Sequence, residues 1–262
     1  MRKHGKGEEA LTEAESGERV HFGYRLVSEE EKGRLVRRHF DSIARQYDFM
    51  NTVLSLGIHY LWKRAAIGMM GLRPGDRVLD LCGGTGDLAV LAARAVGPAG
   101  RVVVYDINRA MMEVGRPKLW RHGVHARVRL VQGNAEAISA MEGSFDGAMV
   151  GFGIRNVTRM EMGFGEMHRA LKPGGKMACL EFSRPVTPWF RWLYDLYSFH
   201  VMPAVGKLLA GSRQAYTYLP ESIRMFPDPD GLKAMLETVG FKEVRYRRLT
   251  NGIAVIHLGV KA

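Results

Sequence analysis

The stretch Val78–Ala89, VLDLCGGTGDLA, decides the fold. Its first residues read as a buried strand, its glycines as a tight turn, and Asp87-Leu88-Ala89 as the start of a helix. Such a unit points backbone N–H groups at a ligand. Gly84-Thr85-Gly86-Asp87-Leu88-Ala89 matches the G-x-G-x-x-A form of the dinucleotide fingerprint. Asp106 stands about 20 residues on, where a ribose-binding acid belongs. A P-loop is excluded, because no Lys-Ser or Lys-Thr follows the glycines. Asp80 argues against a pyrophosphate. It lies at the end of the strand, just before the turn, and a carboxylate there repels phosphate and attracts an ammonium group. A ligand with a ribose, an adenine and an amino-acid ammonium, but no phosphate, satisfies all of this: S-adenosylmethionine. The alternative is that Asp80 caps the following helix. On the ligand reading, Asp106 takes the ribose hydroxyls and Asn134-Ala135, after the third strand, line the adenine.

Outward from this unit, strands and helices alternate. Strand RVVVYDI leads to helix NRAMMEVGRPKLWRHG. Strands VRLVQGNA and FDGAMVGFGI follow, then helix MEMGFGEMHRAL, a KPGG stop, and strand KMACLEF. Alternation with short turns predicts an α/β fold with a doubly wound, mostly parallel sheet. FKEVRYRRL and GIAVIHLGVK, separated by TNG, predict an antiparallel hairpin closing the sheet edge. Ahead of the sheet, SEEEKGRLVRRHFDSIARQYDFMN reads as one helix. Ser28 and Glu31 have capping-box spacing, and Leu35, Val36, Phe40, Ile43 and Tyr47 form a core-facing stripe. LGIHYLWKRAAIGMMGL continues helical. The expected organisation is a solvated tail over 1–20 and one domain over 21–262, with a helical lid at 28–73 and an aromatic-rich insertion at 185–225.

The 262 residues are 46% hydrophobic and 25% charged, as in an ordinary globular protein. No apolar run reaches the roughly 18 residues a membrane span needs. The start has neither the apolar core of a secretory signal nor the acid-poor composition of an organelle presequence. Cys82 and Cys179 form neither a disulfide framework nor a zinc site, so no metal and a cytoplasmic location are expected. The net charge of +11 admits nucleic acid, an anionic membrane or plain solubility. Oligomeric state is not legible, and a homodimer stays open.

The ordered set VLDLCGGTGD, VVVYDIN, GNAEA, SFDGAMVGFGIRN and ALKPGGKMACLEF resembles a class I methyltransferase with its Rossmann-like sheet. Three further stretches are more specific: YDFMNTVLSLGIHYLWKR, FGIRNVT and YSFHVMPAVGKLLAGSRQAYTYLPESIRMFPD. With them the chain resembles the UbiE/MenG family of ubiquinone and menaquinone biosynthesis C-methyltransferases over about residues 20–262. The resemblance implies methyl transfer from S-adenosylmethionine to a ring carbon of a polyprenyl quinol, with demethylmenaquinol named first and the ubiquinol precursor as the alternative. Carried over, its cofactor positions fall on Thr85, Asp106, Asn134 and Ala135. The family often has a small hydroxyl residue where this chain has Gly151. Cys82 stands where many methyltransferases have a glycine, and no catalytic thiol is expected there.

A ring carbon becomes nucleophilic when a neighbouring hydroxyl is deprotonated, and a phenol has a pKa of roughly 10. The site therefore needs a base or a positive group to stabilise the phenolate. Arg155 and Asn156 follow the fourth strand, at its cofactor end. Arg155 would stabilise the phenolate or orient a water; its alternative is a surface salt bridge. Tyr47, Asp48 and Asn51 lie in the lid. Asp48 is a candidate base or a helix-end contact. His59 and His200 are further base or substrate-binding candidates, or packed histidines. Trp189, Phe190, Trp192, Tyr194, Tyr197 and Phe199 crowd the insertion. They read either as core packing or as the entrance for a prenyl tail at a bilayer interface, with Arg184 and Arg191 meeting lipid phosphates.

Three rival readings are disfavoured. A nucleic-acid methyltransferase commonly carries an Asn/Asp-Pro-Pro-Tyr motif or a Pro-Cys nucleophile, and neither occurs here, so no nucleic-acid partner is expected. A binding-only domain would not need the FGIRN and aromatic segments. An NAD-dependent oxidoreductase is disfavoured by Asp80.

Overall fold

The computed structural model describes residues 19–210 and 213–262. The expected tail lies outside the described residues as far as residue 18. Its last two positions belong instead to a hairpin of β1 (Arg19–Phe22) and β2 (Arg25–Ser28), turned at Gly23 and not anticipated from sequence. The helix that follows is two helices rather than one, α1 (Glu29–Ile43) and α2 (Tyr47–Leu54). Ser28 caps α1 by accepting the Glu31 N–H at 3.2 Å. No Gly or Pro marks the break at residues 44–46. Tertiary packing makes it, turning Met50 and Leu54 onto Met202 and Tyr216 of the insertion.

Next come α3 (Ile58–Met70), β3 (Arg77–Leu81), α4 (Asp87–Ala95), β4 (Arg101–Asp106), α5 (Arg109–Arg121), β5 (Val128–Gln132), β6 (Phe145–Gly151), α6 (Met160–Ala170) and β7 (Leu171–Phe182). The insertion is α7 (Pro188–Leu196), a wide π-type turn over Tyr197–Val201, α8 (Met202–Ala210) and α9 (Arg213–Met225). The chain closes with α10 (Pro229–Val239), β8 (Lys242–Leu249) and β9 (Ala254–Val260).

The sheet has seven strands in the order β5-β4-β3-β6-β7-β9-β8. All neighbours are parallel except at β9, which runs antiparallel to both β7 and β8. β9 slots inside the sheet, and β8 is the edge. Composition explains the order. AVIHLGV is buried almost throughout, whereas KEVRYRRL alternates exposed charges that suit an edge. The KPGG segment is not a clean stop. It is an irregularity within β7, where the register with β6 slips between Phe145 and Gly147.

Successive strand residues point to opposite faces. Val78, Met149 and Leu180 pack with α3, α4 and α5 on one face. Leu79, Val150 and Cys179 pack with α6 and α10 on the other. α3, placed with the lid in the sequence reading, packs on β7, β9 and α4 and so belongs to the helical layer of the sheet. Among the described residues no helix is long and apolar enough to cross a membrane.

Candidate active site

From β3 the chain continues to β4 on one side, and β6 flanks β3 on the other. This reversal opens a crevice at the carboxyl ends of the strands. A cavity of about 510 Å³ fills it, roofed by α1 and floored by the glycine turn. Gly84 has φ +54°, a conformation that favours glycine, and it lets the Gly84 N–H reach Asp106 Oδ2 at 2.8 Å. Asp106 Oδ1 accepts the Asn108 N–H at 2.7 Å. Both oxygens are thus fixed on the cavity wall, each with a lone pair left for a hydroxyl donor. Burial raises this carboxyl above its usual pKa, against those two backbone donors.

Asp80 is wholly buried on the same wall, and no side chain pairs with its carboxylate oxygens. The Ala89 N–H, in the first turn of α4, favours its charged form, as the capping alternative expects. Burial first, and Asp106 second, push it up to about 8. A buried carboxylate is expensive unless a cation joins it, so this wall has the chemistry of an ammonium receptor. Asn134 and Ala135 line the far end, and Asn134 is held in an Asx turn by the Glu136 N–H at 3.1 Å. These acceptors and the cavity therefore fit S-adenosylmethionine. Cys82 sits at φ +53° in the turn, and burial holds its thiol well above the usual range, so it presents no thiolate. At Gly151 a Cβ would stand 2.5 Å from Leu88 Cδ1. Leu88 occupies the room in which a hydroxyl side chain would sit.

Behind the turn runs a buried ionic chain that the sequence reading missed. Lys63 meets Asp87 at 2.6 Å, and Lys118 meets Asp87, Asp48 at 2.6 Å, and Thr85 Oγ1 at 3.0 Å. Thr85 Oγ1 donates to Asp48 Oδ1 at 2.7 Å. Burial pushes the Asp87 carboxyl up, but Lys63 and Lys118 outweigh it and hold the group far below the usual range. Burial likewise disfavours the Lys118 ammonium, and Asp87 and Asp48 overcome it. Asp48 is therefore not a free base. Both its oxygens are engaged, and they latch α2 to the glycine turn. Asn108 Nδ2 adds a second latch, donating to Asp41 Oδ1 of α1 at 2.9 Å.

A second, more apolar cavity of about 440 Å³ shares Phe40, Tyr47 and Phe152 with the first. The stripe expected to face the core thus partly lines these cavities. Trp62, Phe152 and Phe182 form an aromatic corner, with centroids 4.4 to 6.2 Å apart. Arg155 lies against it, its guanidinium 5.5 Å from the Phe182 ring centroid. Arg155 Nη1 donates to Glu181 Oε1 at 2.8 Å and also to the Phe152 carbonyl. Both partners of this ion pair are buried, so it is not the surface bridge considered from sequence. Burial raises the Glu181 carboxyl, against Arg155. Asn156 Oδ1 accepts from Tyr218 OH at 2.8 Å, and Asn156 lines the first cavity.

Tyr47 stands at the shared wall beside Asn51, and burial raises its phenol, so the hydroxyl keeps its proton. Asn51, His59 and Tyr197 line the second cavity, and Tyr197 OH donates to the Leu54 carbonyl at 2.7 Å. His200 does not join them. It lies exposed on the π-type turn and lines neither cavity, because that turn rotates it outward. The insertion divides its aromatics. Phe190, Tyr194 and Tyr197 line the cavity, whereas Trp189 and Trp192 point to solvent at 68% and 69% exposure. Lys63, Asp87, Lys118, Glu181 and Tyr218 were missed. The one usable signal was the spacing His59-Trp62-Lys63-Ala66, which puts Lys63 on the buried face of α3. Among the described residues no group of three or more His, Cys, Asp or Glu side chains is placed to hold a metal ion.

The fold recurs in solved structures at low identity. A SAM-dependent methyltransferase from Thermotoga maritima matches with TM-score 0.61 and 19% identity, over 87% of this chain and 100% of its own. Phosphoethanolamine N-methyltransferase 2 of Haemonchus contortus, in complex with S-adenosyl-L-methionine, matches with TM-score 0.55 and 16% identity, over 76% and 52%. These likenesses speak for the fold alone. A sequence relative goes further: the ubiquinone/menaquinone biosynthesis C-methyltransferase UbiE of Escherichia fergusonii is 48% identical, over 94% of this chain and 98% of its own. The model of the ubiE/COQ5 methyltransferase family matches residues 25–261, spanning the lid, the glycine turn, the Arg155 segment and the insertion together. On this match and this relative, the chain belongs to the ubiE/COQ5 methyltransferase family.

Proposed function

We propose that the protein transfers a methyl group from S-adenosylmethionine to a ring carbon of a polyprenyl quinol, with demethylmenaquinol as the first acceptor. The observation that carries this reading is the pair of cavities. One holds a buried carboxylate that no side chain pairs with, the other a buried guanidinium in an aromatic corner, and they share the Phe40, Tyr47 and Phe152 wall. Bound in the first cavity, S-adenosylmethionine supplies an electrophilic methyl on sulfur and leaves as the neutral thioether. Asp80 takes the ammonium and Asp106 the ribose hydroxyls. Gly84, Thr85 and Gly86 shape the turn, and Asn134 and Ala135 flank the adenine. On the acceptor side Trp62, Phe152 and Phe182 hold the flat ring. Arg155, with Nη1 committed to Glu181, offers Nη2 to the ring oxygen and stabilises it as the phenolate. The hydroxyl proton leaves, the ring carbon's electron pair forms the new C–C bond, and the ring C–H proton then departs to restore aromaticity. Asn156, braced by Tyr218, and Tyr47 hold the boundary between the two ligands. The apolar lining favours a naphthoquinol over a more oxygenated benzoquinol.

The prenyl tail leaves toward α7, a helix with no buried residue whose Trp189, Trp192 and Leu196 are exposed beside exposed Arg191. This surface suits peripheral contact with a bilayer interface. The test is labelled S-adenosylmethionine offered with reduced demethylmenaquinone, a reduced ubiquinone precursor and bulk tRNA in parallel. Label on the naphthoquinol supports the reading. Label on the benzoquinol alone moves it to the other branch, and label only on tRNA overturns it.

A further inference from the structure

Two buried polar atoms among the residues of the second cavity have no hydrogen-bond partner: Tyr216 OH and His59 Nδ1. The hydroxyl of Tyr216 can donate or accept, so it suits either a hydroxyl or a carbonyl. His59 is different, because its neighbours fix what it can do. Thr52 Oγ1 donates its single hydrogen to the Asp48 carbonyl at 2.9 Å. That leaves Thr52 Oγ1 only lone pairs for its other neighbours, Tyr60 OH at 3.0 Å and His59 Nε2 at 3.4 Å. With the Thr52 hydrogen on the Asp48 carbonyl, we assign the His59 hydrogen to Nε2, which makes Nδ1 a bare lone pair. The ring is 3% exposed. Burial, and then Lys63 one turn on, push it down to about 4, so it is neutral at physiological pH and Nδ1 stays an acceptor.

A quinol and its quinone differ at this point. The quinol carries two O–H donors, and the quinone carries two carbonyl oxygens that only accept. A hydroxyl facing Nδ1 satisfies the orphaned lone pair. A carbonyl facing it sets lone pair against lone pair and leaves two buried acceptors unpaired. His39, the other imidazole on this wall, is close enough to Arg155 to feel its charge, and it packs between the Phe40 and Tyr218 rings. Arg155 serves the oxygen on that side, which leaves His59 for the other. We infer that His59 is a specificity residue that contacts the acceptor's second hydroxyl through Nδ1 and selects the reduced ring over the oxidised one. This rests on the quinol reading above. It adds a reason why only the reduced form, the one able to yield a phenolate, is held at the transfer site.

The test uses the full chain with adenosylhomocysteine bound and a short-prenyl naphthoquinone as probe. Dissociation constants are measured for the quinone and, anaerobically, for its quinol, in the wild type, His59→Gln and His59→Phe. The wild type should prefer the quinol by roughly 10- to 100-fold, the range expected when one hydrogen bond is exchanged for two buried unpaired acceptors. In His59→Gln the amide N–H serves the carbonyl, so quinone binding should tighten and the preference should collapse. In His59→Phe quinol binding should weaken while quinone binding changes little. A purely structural role would move both constants together. Unchanged ratios in both variants, with folding intact and the wild type methylating the quinol, would overturn the inference. If the wild type methylates no quinol, the functional reading fails as well, and the parallel methylation assay identifies that case.

Discussion

Replacing Asp80 with asparagine separates the ammonium-receptor reading from a merely structural carboxyl. Burial pushes Asp80 up to about 8, with Asp106 and Asp87 adding negative charge and the Ala89 N–H and Lys63 opposing them. At pH 7 such a group is about 0.9 protonated. An ammonium placed against it favours the carboxylate and expels that proton. The ligand's α-ammonium, flanked by its own carboxylate, is already charged at pH 7. Binding should therefore release most of one proton at pH 7. Isothermal titration with adenosylhomocysteine in buffers of different ionisation enthalpy measures this number directly. Asp80→Asn should release none and bind roughly 10- to 100-fold more weakly, as expected for a lost charge-assisted bond. The same substitution should stabilise the empty protein. The folded-state pKa lies above the unfolded value of 3.8, so the native chain holds an extra proton between 3.8 and about 8. For this residue, stability is greatest at low pH and is lost as pH rises toward about 8. The variant should lose that slope and melt several degrees higher at pH 7. Equal proton release by the wild type and Asp80→Asn would refute the reasoning.

Other substitutions test separate parts of the site. Asp106→Ala should abolish adenosylhomocysteine binding by titration, because it removes the ribose acceptor and frees the Gly84 and Asn108 amides. Arg155→Ala should lose turnover in the labelled-methyl assay while still binding adenosylhomocysteine. Stranding buried Glu181 should also cost about 3–5 kcal/mol of stability by denaturant titration. Pairing Arg155→Met with Glu181→Leu should recover stability but not turnover, whereas recovered turnover would exclude the phenolate role. Gly115→Ala in α5 would put a Cβ 2.5 Å from the Thr85 carbonyl oxygen, a backbone atom that cannot swing aside. It should destabilise by about 1–3 kcal/mol despite alanine's better helix propensity, and an unchanged urea midpoint would contradict this. Trp189→Ser with Trp192→Ser should weaken flotation with anionic vesicles and leave turnover of a short-chain quinol in solution unchanged. Retained flotation would remove α7 from the proposed membrane contact.

The parallel sheet, the glycine turn, and Asp80 and Asp106 beside it were legible because each depends on neighbours close in sequence. A buried strand must be apolar, a tight turn needs glycine, and an acid at a strand end beside that turn has few places to point. Even the capping serine of α1 announced itself three residues from its partner. What the sequence could not reveal depends on distant residues meeting. Asp48 looked like a base until Lys118, 70 positions away, was found against it. For Arg155 a surface salt bridge stayed open as the alternative until Glu181 was found buried against it. The position of β9 inside the sheet, the break between α1 and α2, and the outward turn of His200 followed from packing against segments far along the chain. Local pattern determined the elements and the cofactor turn. Only the folded chain decided which charges neutralise each other and which stay unpaired, because charge pairing in a low-dielectric interior is set by distance in space.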